Sequence, residues 1–169
     1  VIMARYSVSW TSITPTATAD TTNLVDSTYC TVLQGGNSTM RLNINEVFIG
    51  GEAASTSSPC LMVLARDSTV AATVTAGTTR NALLDGSSTA PGTTAVTGHI
   101  ATTKPQRSST LHLLKLSFNA YGGIVRWQSR HGEEISTVGN TASLGEVSLS
   151  AFTGGTPGAT SGHIIYEVA

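Results

Sequence analysis

The dominant period along the chain is two. In RYSVSW, Tyr6, Val8 and Trp10 alternate with Arg5, Ser7 and Ser9, which sets large groups on one face of a strand and small polar groups on the other. STYCTVLQ reads as a further strand and ends at Gly35-Gly36-Asn37, a turn signal. In TMRLNINEVFIGG, Met40, Leu42 and Ile44 alternate with Arg41, Asn43 and Asn45. The phase then shifts, and Val47 and Ile49 take the apolar positions. An extra residue in an otherwise regular alternation predicts a β-bulge or bend.

CLMVLARD is a short, nearly continuous apolar run, as expected of a strand covered on both faces. STLHLLKLSFNAYGG is the strongest core signal, with His112, Leu114, Leu116 and Phe118 on one face and Leu111, Leu113 and Lys115 on the other, and Gly122-Gly123 breaks it. IVRWQS, EISTVG, GEVSLSAFTGG and GHIIYEVA follow as short strands separated by glycine-rich turns. Between them, Ser68 to Ser109 form a long Thr/Ala/Gly/Ser tract, with a weak helical turn expected at TRNALLDG. A loop of that length inside a compact domain is expected to be functional and to carry hidden strands. Its Val70, Val74, Leu83, Leu84, Val96 and Ile100 are residues that a free linker would not keep exposed.

Eight or nine strands without a convincing helix predict an all-β fold: an antiparallel β-sandwich, jelly-roll-like, with a Ser/Thr-rich loop excursion over 68–109. A closed barrel is the structural alternative. The 169 residues suit one domain over 1–169, large enough to fold without a metal or disulfide. No internal repeat or linker divides it.

Composition changes the picture in one respect. Ser and Thr number 47, while charged residues are only 11% of the chain where about 25% is usual. The expected surface is polar but sparsely charged, suited to permanent contact with neighbours. Net charge is −1 and the lysines are Lys104 and Lys115, with no basic cluster interleaved with aromatics, so nucleic acid is excluded as a partner. No apolar run approaches the ~20 residues that cross a bilayer, and VIMARYSVSW lacks the layout of a signal peptide. A soluble chain without a membrane partner is the expectation. Cys30 and Cys60 stand apart without CxxC spacing, which favours two free buried thiols and leaves a disulfide open.

Candidate chemistry concentrates in YGGIVRWQSRHGEEI, where Arg126, Arg130, His131, Glu133 and Glu134 crowd together. Adjacent Glu133 and Glu134 would point to opposite faces of a strand, so neither assists the other as acid and base. Gly132 supplies a turn, and the charges read as a solvated loop tip or as an arginine and carboxylate network with a neighbouring copy. No HxH, HExxH or Gly-x-Ser-x-Gly pattern and no phosphate-binding loop occurs. His99, His112, His131 and His163 therefore carry no site assignment: His112 belongs to a core or interface strand and His163 to a strand start. Catalytic, cofactor and metal residues are expected to be none. Trp10 and Trp127 raise the alternative of a sugar-stacking platform, although Trp127 sharing a face with Val125 points to the core.

LSFNAYGGIVRWQSRHGEEISTVGN followed by GEVSLSAFTGGTPGATSGHIIYEVA resembles small all-β structural proteins of tailed bacteriophages, of the capsid decoration or cement type. The resemblance covers chiefly the C-terminal third. It implies a component of the virion, on the capsid surface, that binds the major capsid protein lattice, often as a homotrimer, and reinforces the shell without a cofactor. The alternatives are a glycan-binding domain of a tail fibre or spike, and a hydrolase. Interface residues expected on this reading are Arg126, Arg130, Glu133 and Glu134, with Ile164 and Tyr166, because HIIYEV would be an aggregation hazard if it formed a bare sheet edge.

Overall fold

The computed structural model describes residues 5–14, 29–35, 37–52, 58–69, 72–74, 80–84, 96–98, 101–103, 105–137, 139, 145, 147–153 and 158–169. In 29–30, 72–74, 80–83, 96–98, 101–103 and 151–153 it describes the backbone alone. Among the described residues there are thirteen strands and no helix: β1 (Arg5–Ile13), β2 (Tyr29–Gln34), β3 (Leu42–Gly51), β4 (Pro59–Thr69), β5 (Ala72–Val74), β6 (Arg80–Leu83), β7 (Val96–Gly98), β8 (Ala101–Thr103), β9 (Gln106–Asn119), β10 (Ile124–Gln128), β11 (Ile135–Ser136), β12 (Val147–Thr153) and β13 (Thr160–Val168).

Two antiparallel sheets form a sandwich. The first has the order β10-β3-β13-β1-β6, with β11 also paired to β3; the second has the order β7-β2-β12-β4-β9. A small pair, β5 and β8, stands apart. Of the eight strands β1, β2, β3, β4, β9, β10, β12 and β13, successive members fall in sheets one, two, one, two, two, one, two and one. One core fills the space between the sheets. Tyr6, Val8, Trp10, Leu42, Ile44, Val47, Ile49, Ile164 and Tyr166 come from the first sheet, and Leu33, Met62, Leu64, Val147 and Leu149 from the second. The alternation read from the sequence thus becomes the inward face of each strand.

The phase shift in β3 is a bulge. Ile165 pairs with Glu46 and Tyr166 with Ile44, so Asn45 has no counterpart across the ladder. Without that extra residue, the alternation of Leu42 and Ile44 would carry Glu46 into the apolar core. With it, Val47 and Ile49 face inward and Glu46 turns outward.

The run in β4 is covered on both faces, as its apolar composition implies: Met62, Val63, Leu64 and Ala65 are all fully buried. Its outer side carries a polar set, in which Ser148 donates to Asp67 Oδ1 at 2.5 Å and buried Arg107 stands opposite Asp67 in the β4 and β9 ladder.

Two expectations are corrected. TRNALLDG does not form a helical turn: Arg80–Leu83 is strand β6, paired to the edge of β1, because an open sheet edge offers a full ladder of partners and an isolated turn does not. HIIYEV is not an edge strand either, since β13 lies between β3 and β1. The excursion does hold strands, β5 to β8, two of which extend the sheets; residues 70–71, 75–79, 85–95, 99–100 and 104 of it, His99 and Lys104 included, lie outside the described residues.

Candidate functional site

The outer face of the first sheet collects the polar side chains that the bulge and the alternation turn away from the core. Arg126 on β10 and His163 on β13 both pair in register with Phe48 on β3, so three neighbouring strands present Arg126, Phe48 and His163 in one row. Glu46, two residues from Phe48, reaches both ends of that row. Arg126 donates to Glu46 Oε2 from Nε at 3.0 Å and from Nη2 at 2.6 Å, and His163 Nε2 lies 2.8 Å from Glu46 Oε1. The His163 ring also stacks on Phe48, with centroids 5.2 Å apart and an interplanar angle of 8°.

The Glu46 side chain is 10% exposed, against 32% for His163 and 56% for Arg126. Burial alone would raise the Glu46 carboxyl pKa. Hydrogen bonds from Arg126 and His163, with the charge they bring, outweigh burial and hold it below the usual carboxylate value. The cluster is therefore a carboxylate fixed by two partners and topped by a guanidinium that still faces water.

Positioning follows from local chemistry. The turn before β10 is tied by Asn119, whose side-chain Oδ1 accepts from the Ser58 and Tyr121 amides and whose carbonyl accepts from the Gly123 amide at 2.7 Å. After β10, Ser129 donates its amide to Asn45 O in the bulge. Val125 and Trp127 pack on the core, which forces Arg126 between them to the outer face.

Beside this row lies a shallow depression of about 410 Å³ whose lining includes Phe48, Gly50, Glu52, Ile124, Ser161 and His163. Trp10 reaches it from below; a Cβ added at Gly162 would come within 2.1 Å of Phe48 O and 2.6 Å of Trp10 Cζ2.

The other expected interface residues part company. Arg130, His131 and Glu133 are exposed at a turn in which the Glu133 amide donates to Arg130 O at 3.0 Å and Gly132 has φ of +84°. Glu134 accepts from the Gly132 amide at 3.0 Å, and amide hydrogen bonds from Glu134 and Gly132 lower its pKa. This is the solvated tip the sequence suggested. Ile164 and Tyr166 do not belong to an exposed surface: each is 1% exposed and packs in the chain's own core. Alternation places every second residue of a central strand inward, and the apolar ones occupy those positions. Tyr166 stacks on Tyr6, 5.6 Å between centroids.

Trp10 and Trp127 form no exposed platform, since Trp10 is buried and Trp127 packs on the core. Cys60 is a buried free thiol, with burial raising its pKa; the side chain of Cys30 lies outside the described residues. Among the described residues no three His, Cys, Asp or Glu side chains gather to hold a metal ion, and no helix is long and apolar enough to cross a membrane.

Sequence reasoning missed Glu46 and gave His163 no role. Two signals were present. The phase break in NINEVF turns Glu46 outward, and His163 alternates with inward Ile164. That β10, β3 and β13 are neighbours is not written in either. Comparison with protein-family models, with curated proteins and with solved structures finds no match for this chain.

Proposed function

We propose that this chain is a virion structural protein, a capsid decoration or cement protein that binds the outside of a bacteriophage head lattice, as a homotrimer, with the major capsid protein as its partner. The observation that carries this reading is the strand interleaving. Read across each sheet, the same eight strands follow β1-β13-β3-β10 in one and β2-β12-β4-β9 in the other, which we infer to be jelly-roll connectivity, a plan used by viral capsid domains.

Composition supports the same reading. A chain with only 19 formal charges on 169 residues, nearly balanced in sign, avoids mutual repulsion when many copies crowd on a lattice. An oligomer that touches several lattice sites at once gains affinity by avidity without a strong single contact. Trp10 is buried and Trp127 is partly buried against the core, which removes the exposed pair of rings that favoured a glycan platform.

The deciding experiment is electron microscopy of purified particles from the source of this sequence, paired with mass spectrometry of their proteins. The expected result is sandwich-shaped density on the outer shell at symmetry-related positions. Particles that lack the chain, or that carry it only in the tail, overturn the proposal.

A further inference from the structure

The depression on the outer face of the first sheet is built around one carboxylate that has no counter-charge among the described residues. At Trp10 the β1 and β13 register slips before Ile13, and Ser12 sits in this bulge with φ of 54°, a left-handed conformation that a serine adopts at a cost. The distortion turns the Ser12 amide and hydroxyl onto Glu52. The hydroxyl donates to Oε2 at 2.7 Å, and the amide is shared between Oε1 at 3.3 Å and Ser161 Oγ at 3.1 Å.

Among the described residues no Lys, Arg or His lies within ion-pair distance of Glu52. The contrast with Glu46 is direct. Glu46 is satisfied by Arg126 and His163 on the far side of Phe48, whereas Glu52 is held in place and left unneutralised.

From this geometry we infer that the depression is a docking site for an arginine or lysine side chain presented by a protein partner. The side-chain stem would lie over the glycine floor at Gly50, between Ile124, which is 68% exposed, and the edge of Phe48. The cationic head would meet Glu52. Long basic side chains bury their methylenes against apolar surface while the charge stays at the rim, and a fixed carboxylate accepts the cationic head through charge-assisted hydrogen bonds.

A saccharide fits less well. It needs several free hydrogen-bond partners, and of the polar groups lining the depression His163 Nε2 is engaged by Glu46 while Ser161 Oγ already accepts from Ser12. The site requires only a basic side chain on the partner and does not depend on where the protein resides.

The test is an NMR titration of the isotope-labelled full chain with acetyl-Leu-Arg-Leu-amide, with the same peptide carrying uncharged citrulline in place of arginine, and with methyl glycosides. The arginine peptide is expected to move the amides of Gly50, Gly51, Glu52, Ser161 and Gly162, and to bind roughly fivefold more tightly than the citrulline peptide, the scale of one partly exposed ion pair. Glu52→Gln, with an otherwise native spectrum, should abolish that preference. Ile124→Ser, at an exposed position that leaves the core intact, should weaken both peptides. Equal binding of the two peptides, a preference that survives Glu52→Gln, or no localised shifts at millimolar peptide would overturn the inference. Glycosides moving these amides while the peptides do not would replace it with a glycan site.

Discussion

Replacing Arg126 with alanine separates an intrachain strut from a contact reserved for a neighbouring subunit. The substitution removes both hydrogen bonds that the guanidinium gives to Glu46. Charge-assisted bonds contribute about 1.5–3 kcal/mol when shielded, but this side chain is 56% exposed, and solvent screening brings the pair to about 1 kcal/mol. Glu46 itself is nearly buried and would retain only His163, so its poorer solvation adds about 1 kcal/mol. The expected loss is then roughly 2 kcal/mol at pH 7, or a fall in melting temperature of about 4–8 °C for a domain of this size.

Calorimetry of Arg126→Ala, Glu46→Gln and the double variant should give a coupling near 1 kcal/mol. The sign of the pH dependence follows from Glu46. Its folded pKa lies below the ordinary 4.5, so the stability it contributes is present above that value and is lost as pH falls through the lowered one. The gap between wild type and Arg126→Ala should accordingly narrow below pH 4.5. A gap that stays constant to low pH, or a variant that melts like wild type yet fails to assemble, refutes the strut and moves the working partner of Arg126 to another copy.

Two further substitutions probe the packing that carries the site. Ile164→Ala should cost about 2–5 kcal/mol in urea unfolding, because Ile164 is buried in the chain's own core; full stability with impaired association would restore it to an interface. Gly162→Ala should destabilise by about 1–3 kcal/mol or more in the same assay, since the added Cβ would meet Phe48 O at 2.1 Å and the Trp10 ring at 2.6 Å, and an unchanged midpoint would show that both the β3 backbone and Trp10 can give way.

What the sequence alone determined is local. Alternation named the strands and their inward faces, as in Tyr6, Val8 and Trp10; the unbroken apolar run of β4 announced cover on both sides; the phase break after Ile44 announced the bulge; and Gly132 announced the turn at the charged tip. These features are legible because side-chain direction along a strand depends only on residue parity, and burial selects composition at each position. The tertiary structure decided which strands are neighbours. Backbone ladders carry almost no side-chain code, so nothing in GHIIYEVA distinguishes a bare edge from the centre of a sheet, and nothing near TRNALLDG reveals that the edge of β1 awaits a partner. Glu46 therefore meets Arg126 from 80 residues away and His163 from 117. Ser12 likewise reaches Glu52 across 40. Both carboxylates acquire their surroundings only when packing of the whole core settles the order of β10, β3, β13 and β1.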